Sequence, residues 1–166
     1  TGKRAPGYVT LVILPAAYEE DGSDFERTRM QVYEYLSARM DGNLLHLGKF
    51  QIMKPEMVRI DVSTVLELTA GREVFQTRKN VQAELERFLH PLWGNVYGEG
   101  WEIGTIPGQE QISHALKRVE GVKHIRQIHV RKFCAERFGE REILEESDLP
   151  FYRLPESGMY EIQIEL

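Results

Sequence analysis

At 166 residues, 42% hydrophobic and 28% charged, the chain has room for one ordinary domain or two small ones in the composition range of globular proteins. Its net charge of −5 argues against nucleic acid or anionic lipid as a bulk partner, and its apolar runs are too short to span a membrane. The single cysteine, Cys134, excludes an intramolecular disulfide and reads as a small buried hydrophobe in a protein folded under reducing conditions. No secretory signal pattern stands at the start. A first residue Thr1 in place of Met fits a fragment or a processed chain, with an upstream part missing.

Tyr8 to Leu14 is an apolar, β-branched run closed by Pro15 and predicts a well-buried strand. After an acidic turn, Ser23 and Glu26 have the spacing of a capping box, with a helix to about Met40 and a stop at Asp41-Gly42. Its stripe is Phe25, Val32, Leu36 and Met40. Leu44 to Met53 predicts a strand with a bulge at Gly48, broken by Lys54-Pro55.

The strongest periodic signal follows. Val58, Ile60, Val62, Thr64, Leu66 and Leu68 alternate with Arg59, Asp61, Ser63, Val65 and Glu67, which predicts a long strand with one core face and one wet face. Asp61 and Glu67 read as solubilising charges on the wet face. A second helix begins after Gly71, with a stripe of Val74, Arg78, Val81, Leu85, Phe88, Leu89 and Leu92, and Pro91 ends it. A loop containing Gly94, Gly98, Gly100 and Gly104 follows, where glycine allows positive φ and close backbone approach. The third helix opens after Pro107-Gly108, buries Ile112, Ala115, Leu116 and Val119, and stops at Gly121. Val122 to Phe133 predicts a strand with Ile128 and Val130 inward. Residues 134–150 are polar without a firm period, and Met159 to Leu166 alternates as a closing strand.

Together these elements predict an α+β fold: two small mixed or antiparallel-sheet modules of split β-α-β type with helices on one face. The modules are expected over residues 1–55 and 56–135, with 136–166 a polar tail ending in the closing strand.

The chemistry-bearing residues point away from catalysis. The five histidines lack metal-site spacing; His124 and His129, five apart on a strand, are expected on opposite sides. No phosphate-loop lysine follows the loop glycines, and no nucleophile elbow is present. Neither a catalytic residue nor a metal or cofactor is expected. Trp93, Tyr97 and Trp101 cluster in the loop, where aromatics either fill a local core or anchor a partner. Lys123, Arg126, Arg131 and Lys132 gather on one strand before an acidic stretch, a pattern suited to a protein neighbour or self-pairing.

The order of these pieces resembles one family. The alternating strand Val58–Leu68 leads to Arg87-Phe88-Leu89-His90-Pro91-Leu92, then to Gly98-Glu99-Gly100-Trp101-Glu102-Ile103-Gly104, then to a helix ending Val119-Glu120-Gly121-Val122. This resembles the C-terminal half of baseplate J-like proteins, wedge components in the baseplates of contractile phage tails and related injection systems. Gly7 to Pro15 with its helix, and the strand after Leu154-Pro155, resemble the family's middle region and ending. Members often carry Gly-Gly where this chain has Trp93-Gly94, and Pro where it has Glu102.

The resemblance implies a non-enzymatic scaffold. Its partners would be other wedge, hub and sheath-end proteins, with self-association in the assembled ring and no nucleic acid or membrane span. It would assemble in the bacterial cytoplasm into a phage or phage-tail-like baseplate. The alternative is a small-molecule-binding regulatory module of ferredoxin-like type.

Overall fold

Two separate stretches of β-forming residues satisfy their backbones in two separate sheets. The computed structural model describes residues 7–16, 23–46, 48–136, 139–145, 147, 149 and 151–165, with the side chains of Ser23, His46 and Glu136 outside the description. Contacts divide the chain into two units, Thr1–Pro55 and Glu56–Leu166. The class is α+β, as the interleaved periodicities predict.

In the first unit, β1 (Val9–Val12) is followed by α1 (Ser23–Ser37), α2 (Gly42–His46) and β2 (Phe50–Met53). The two strands pair in parallel from Val9–Phe50 to Val12–Met53. Parallel neighbours cannot be joined by a tight turn, and the two helices lie in the crossover. Because β1 and β2 are direct neighbours, this unit lacks the intervening strand of a split β-α-β arrangement.

Three local expectations change here. β1 is not well buried: Val9 is 43% exposed, and among the described residues of this unit only Ile52 and Pro55 are buried. Two strands offer too little surface to cover each other. The expected strand from Leu44 begins instead as α2, because Asp41 accepts from the Asn43 N–H through its carboxylate (2.8 Å) and from the Leu44 N–H through its carbonyl (3.0 Å). That is helix-capping chemistry, and it converts a presumed stop into a start. The Ser23 side chain, half of the expected capping box, lies outside the described residues, while Glu26 accepts from Arg29 Nε at 2.9 Å.

The second unit begins with β3 (Glu56–Leu68), then α3 (Val74–Leu89), α4 (Gln109–Lys117), β4 (Val122–Glu136), β5 (Gly139–Ile143) and β6 (Arg153–Glu165). The sheet order is β5-β4-β3-β6. β3 runs antiparallel to β4 and parallel to β6, and β4 runs antiparallel to β5. The segment after residue 135 is therefore part of this sheet. β5 forms within the stretch that lacked a period, and β6 lies along β3.

The alternation of β3 appears as burial. Val58, Ile60 and Leu66 have no exposure, Val62 and Thr64 almost none, and Leu68 is buried at the end. α3 and α4 cover this face with Val81, Leu85, Phe88, Leu89, Ile112, Ala115 and Leu116, and each fully buried large side chain contributes about 1.5–3 kcal/mol. On α3 the buried stripe includes Thr77, not the expected Arg78; the Thr77 hydroxyl donates to the Glu73 carbonyl at 3.0 Å, which makes its burial tolerable. Cys134 is buried with Val58, Ile143 and Leu149 in a smaller cluster. Gly121, the expected helix stop, lies in the turn between α4 and β4 at φ +98°.

Asp61 departs from the wet-face expectation. It is 4% exposed, takes the Met159 N–H at 2.9 Å and pairs with Arg59 at 3.1 Å. The physical reason is a bulge in β6: Ser157 pairs with Ile60 and Tyr160 with Val62, so Gly158 and Met159 both stand opposite Asp61.

Candidate functional site

The loop between α3 and α4 is built from its first residue. Pro91 has no N–H to continue the helix, and His90 turns the chain into extended backbone at φ −63°, ψ 127°. The His90 ring then holds the turn, its Nδ1 accepting from the N–H groups of Leu92 and Trp93, both at 3.2 Å. Gly94 donates to the His90 carbonyl at 2.8 Å, and Asn95 to that of Phe88 at 3.0 Å.

Asn95 is the hub. It sits at φ +66°, a conformation asparagine tolerates better than most residues. Its carboxamide oxygen accepts from Tyr97 (2.6 Å) and Gly98 (3.1 Å), and its amide nitrogen donates to the Gly100 carbonyl. Arg87 reaches the Asn95 carbonyl at 3.2 Å while bound to Glu84. Gly98, Gly100 and Gly104 all have positive φ, as the loop reading requires.

This frame separates the three aromatics. Trp101 is half-buried: its indole N–H donates to the Phe88 carbonyl at 2.9 Å, and its ring meets Phe88 edge-on at 5.3 Å. It serves the core. Trp93 and Tyr97 point outward, 60% and 83% exposed, with Val96 between them also exposed. Of these two exposed rings, that of Trp93 stacks on His90 at 6.4 Å. Large aromatics on a frame already ordered lose little entropy on binding, which is the physical condition for anchor residues. Trp101→Ala should therefore cost about 3 kcal/mol, whereas Trp93→Ala and Tyr97→Ala should each change stability by about 0.5 kcal/mol or less. Urea unfolding of the three single variants checks this, and equal losses would place all three in the core.

The basic strand is less uniform than its sequence suggests. Lys123 (2.6 Å) and Arg126 both pair with Glu67 on β3, so the expected solvated Glu67 is held between two cations, its side chain 15% exposed. Arg131 lies over the Phe133 ring at 5.6 Å. Lys132, opposite Ile60 in the register, falls on the helix side of the sheet and lines a cavity of about 260 Å³ with Gly108, Val130 and Ile143. The four cations are thus not one patch.

A second bulge moves the histidines. Val65 pairs with Gln127 and Leu66 with Ile125, leaving Arg126 extra, and the side-chain alternation resets there. His124 stands opposite Glu67 and His129 opposite Ser63, so both occupy the open face, contrary to the expectation of opposite sides. They are four β3 positions apart, about 13 Å along the strand, too far to share an ion. No group of three or more His, Cys, Asp or Glu able to hold a metal occurs among the described residues.

The hydrogen bond from Lys123 holds the Glu67 carboxyl below its ordinary range, with the charges of Arg126, Lys123 and His124 acting the same way and desolvation opposing them. A lowered carboxyl pKa contributes stability above the unfolded carboxylate range, and that contribution is lost as pH falls through the folded value. The melting temperature of the native chain should exceed that of Glu67→Gln at pH 7, and the gap should close under acid conditions. A gap unchanged with pH would show that ionisation of Glu67 is not its source.

No helix among the described residues is long and apolar enough to cross a membrane. No protein-family model matches the chain, and no curated protein matches it.

Proposed function

We propose that this chain is a structural assembly part, the C-terminal portion of a wedge protein in the baseplate of a contractile phage tail or tail-like injection system. One observation carries the assembly reading: a hydrogen-bonded frame displays Trp93 and Tyr97 to solvent while Trp101 anchors the same loop inside. Exposed aromatics on an ordered backbone are the residues enriched at the centres of interfaces, and folding of the loop does not require their exposure. The baseplate assignment rests on the resemblance in the order of elements. The two departures from that family's pattern fall at exposed positions, Trp93 and Glu102, while Gly94 keeps the glycine that the loop's closest approach demands. In this reading the chain has no catalytic task; it holds neighbours in a ring and changes contacts when the ring rearranges.

The test is a pull-down from lysate of the source cell with the tagged chain and with its Trp93→Ala/Tyr97→Ala variant, read by mass spectrometry. Recovery of sheath, wedge or hub proteins by the native chain and their loss with the variant supports the proposal. Recovery of a metabolic enzyme or regulator without tail proteins, together with a ligand-dependent rise in melting temperature, favours the ferredoxin-like regulatory module.

A further inference from the structure

We infer that the second half of β6, Tyr160–Glu165, is a docking edge that takes one added strand from another polypeptide, a segment alternating basic and apolar residues. This does not depend on the baseplate reading and concerns a different surface from the aromatic loop.

The sheet ends at β6, and no described strand or loop forms a backbone hydrogen bond with the outer edge of residues 159–165. The first half of the strand is guarded. Gly104 donates to the Arg153 carbonyl at 2.8 Å, Pro155 lacks a donor, and the bulge at Gly158 breaks the regular edge. The second half has none of these devices. From Tyr160 to Glu165 it is six residues of regular strand without Pro, Gly, Lys or Arg. An edge of that kind exposes a row of unsatisfied donors and acceptors that pairs readily with another chain.

The side chains say what fits. On the helix side, Tyr160, Ile162 and Ile164 are only partly buried, an apolar row that a further strand would finish covering. On the open side stand Glu161, Gln163 and Glu165, all three exposed. A cross-strand neighbour is favoured when oppositely charged and disfavoured when like-charged. A second copy of β6 is a weaker occupant: its own residues 160–165 bring no cation to Glu161 or Glu165, and antiparallel pairing centred on Gln163 sets Glu161 of each copy against Glu165 of the other. A strand with Lys or Arg on the open side and Val or Ile on the helix side satisfies backbone, apolar row and charge together.

The experiment uses the full chain, isotope-labelled, with three nine-residue peptides: alternating Lys-Val, alternating Glu-Val, and the Lys-Val composition in two blocks. The alternating Lys-Val peptide should bind at least tenfold more tightly than either other peptide and slow amide exchange within Tyr160–Glu165. In the exposed charge-swap variant Glu161→Lys/Glu165→Lys, with its spectrum otherwise preserved, the preference should reverse to Glu-Val. Equal binding of the block peptide, or binding without edge protection, would overturn the proposal in favour of a charge contact on the open face. Failure of all three peptides would also overturn it. Protection of the same amides through concentration-dependent self-association, without peptide, would make the occupant a second copy.

Discussion

Gly94→Ala should destabilise the second unit by about 3–5 kcal/mol, the range of severe core substitutions. A β-carbon at this position would lie 2.3 Å from the His90 carbonyl oxygen, 2.4 Å from that of Phe88 and 2.8 Å from Trp101 Nε1. None of the three can swing away. Two are backbone oxygens at the end of α3, and the third is an indole nitrogen already bonded to Phe88. Relief requires the loop to back off, which strips Phe88 of two donors, Asn95 N–H and Trp101 Nε1–H, at about 1 kcal/mol each, and unseats Trp101 from the Phe88 ring. Gly98→Ala is the control. There a β-carbon meets nothing closer than 3.9 Å, so the cost is the left-handed backbone alone, about 1–2 kcal/mol. Urea denaturation followed by tryptophan fluorescence measures both. Equal losses in the two variants would mean that close packing at Gly94 does not hold the loop together.

The sequence discloses β3 because a half-buried strand with helices on one face leaves a period-two trace, and Val58 to Leu68 carries it without interruption. It discloses the end of α3 equally well, because Pro91 acts through its own covalent structure. What stays hidden depends on partners distant in sequence. Asp61 looks like any wet-face carboxylate until the Met159 N–H meets it. β5 has no period of its own, since four of its five residues are exposed and only Ile143 is buried. The histidine faces are mispredicted because alternation is counted from a regular strand, and the extra residue at Arg126 is a property of the pairing with β3.

The candidate site divides along the same line. That Trp93, Tyr97 and Trp101 share a loop is written in the sequence; which of them turns inward depends on the reach of one indole to the Phe88 carbonyl. Asn95, the hub of the loop, leaves only a local trace: an asparagine two residues before Tyr97 and three before Gly98 has the spacing of an Asx-type turn. The gathered cations are legible as a run, but the register puts Lys132 on the helix side and Arg131 on the open face, where Glu67 holds Lys123 and Arg126.

Asp61→Ala should cost about 3 kcal/mol, and Asp61→Asn about 1 kcal/mol. Alanine leaves the Met159 N–H without its acceptor and removes one of the two carboxylates that hold Arg59, the other being Glu140. Asparagine keeps an acceptor for Met159 and loses only the charge. Gly158→Ala should match or exceed the alanine variant of Asp61, because its β-carbon would come within 2.2 Å of the Asp61 carboxylate and 2.6 Å of the Ile60 carbonyl. The three substitutions strike one device. Before the bulge, Pro155 and Ser157 share the core side with Val58 and Ile60; after it, Tyr160, Ile162 and Ile164 share that side with Val62, Thr64 and Leu66. Without the extra residue, Met159, Glu161, Gln163 and Glu165 would face the helices, since a one-residue slip exchanges the two faces of a strand. The clamp therefore decides which half of the closing alternation is core. Urea unfolding orders the variants, and amide signals of residues 159–165 report the register. A shift of those signals in Asp61→Ala, absent in Asp61→Asn, is the expected signature. Equal stability of the two variants would instead assign the effect of Asp61 to its charge alone.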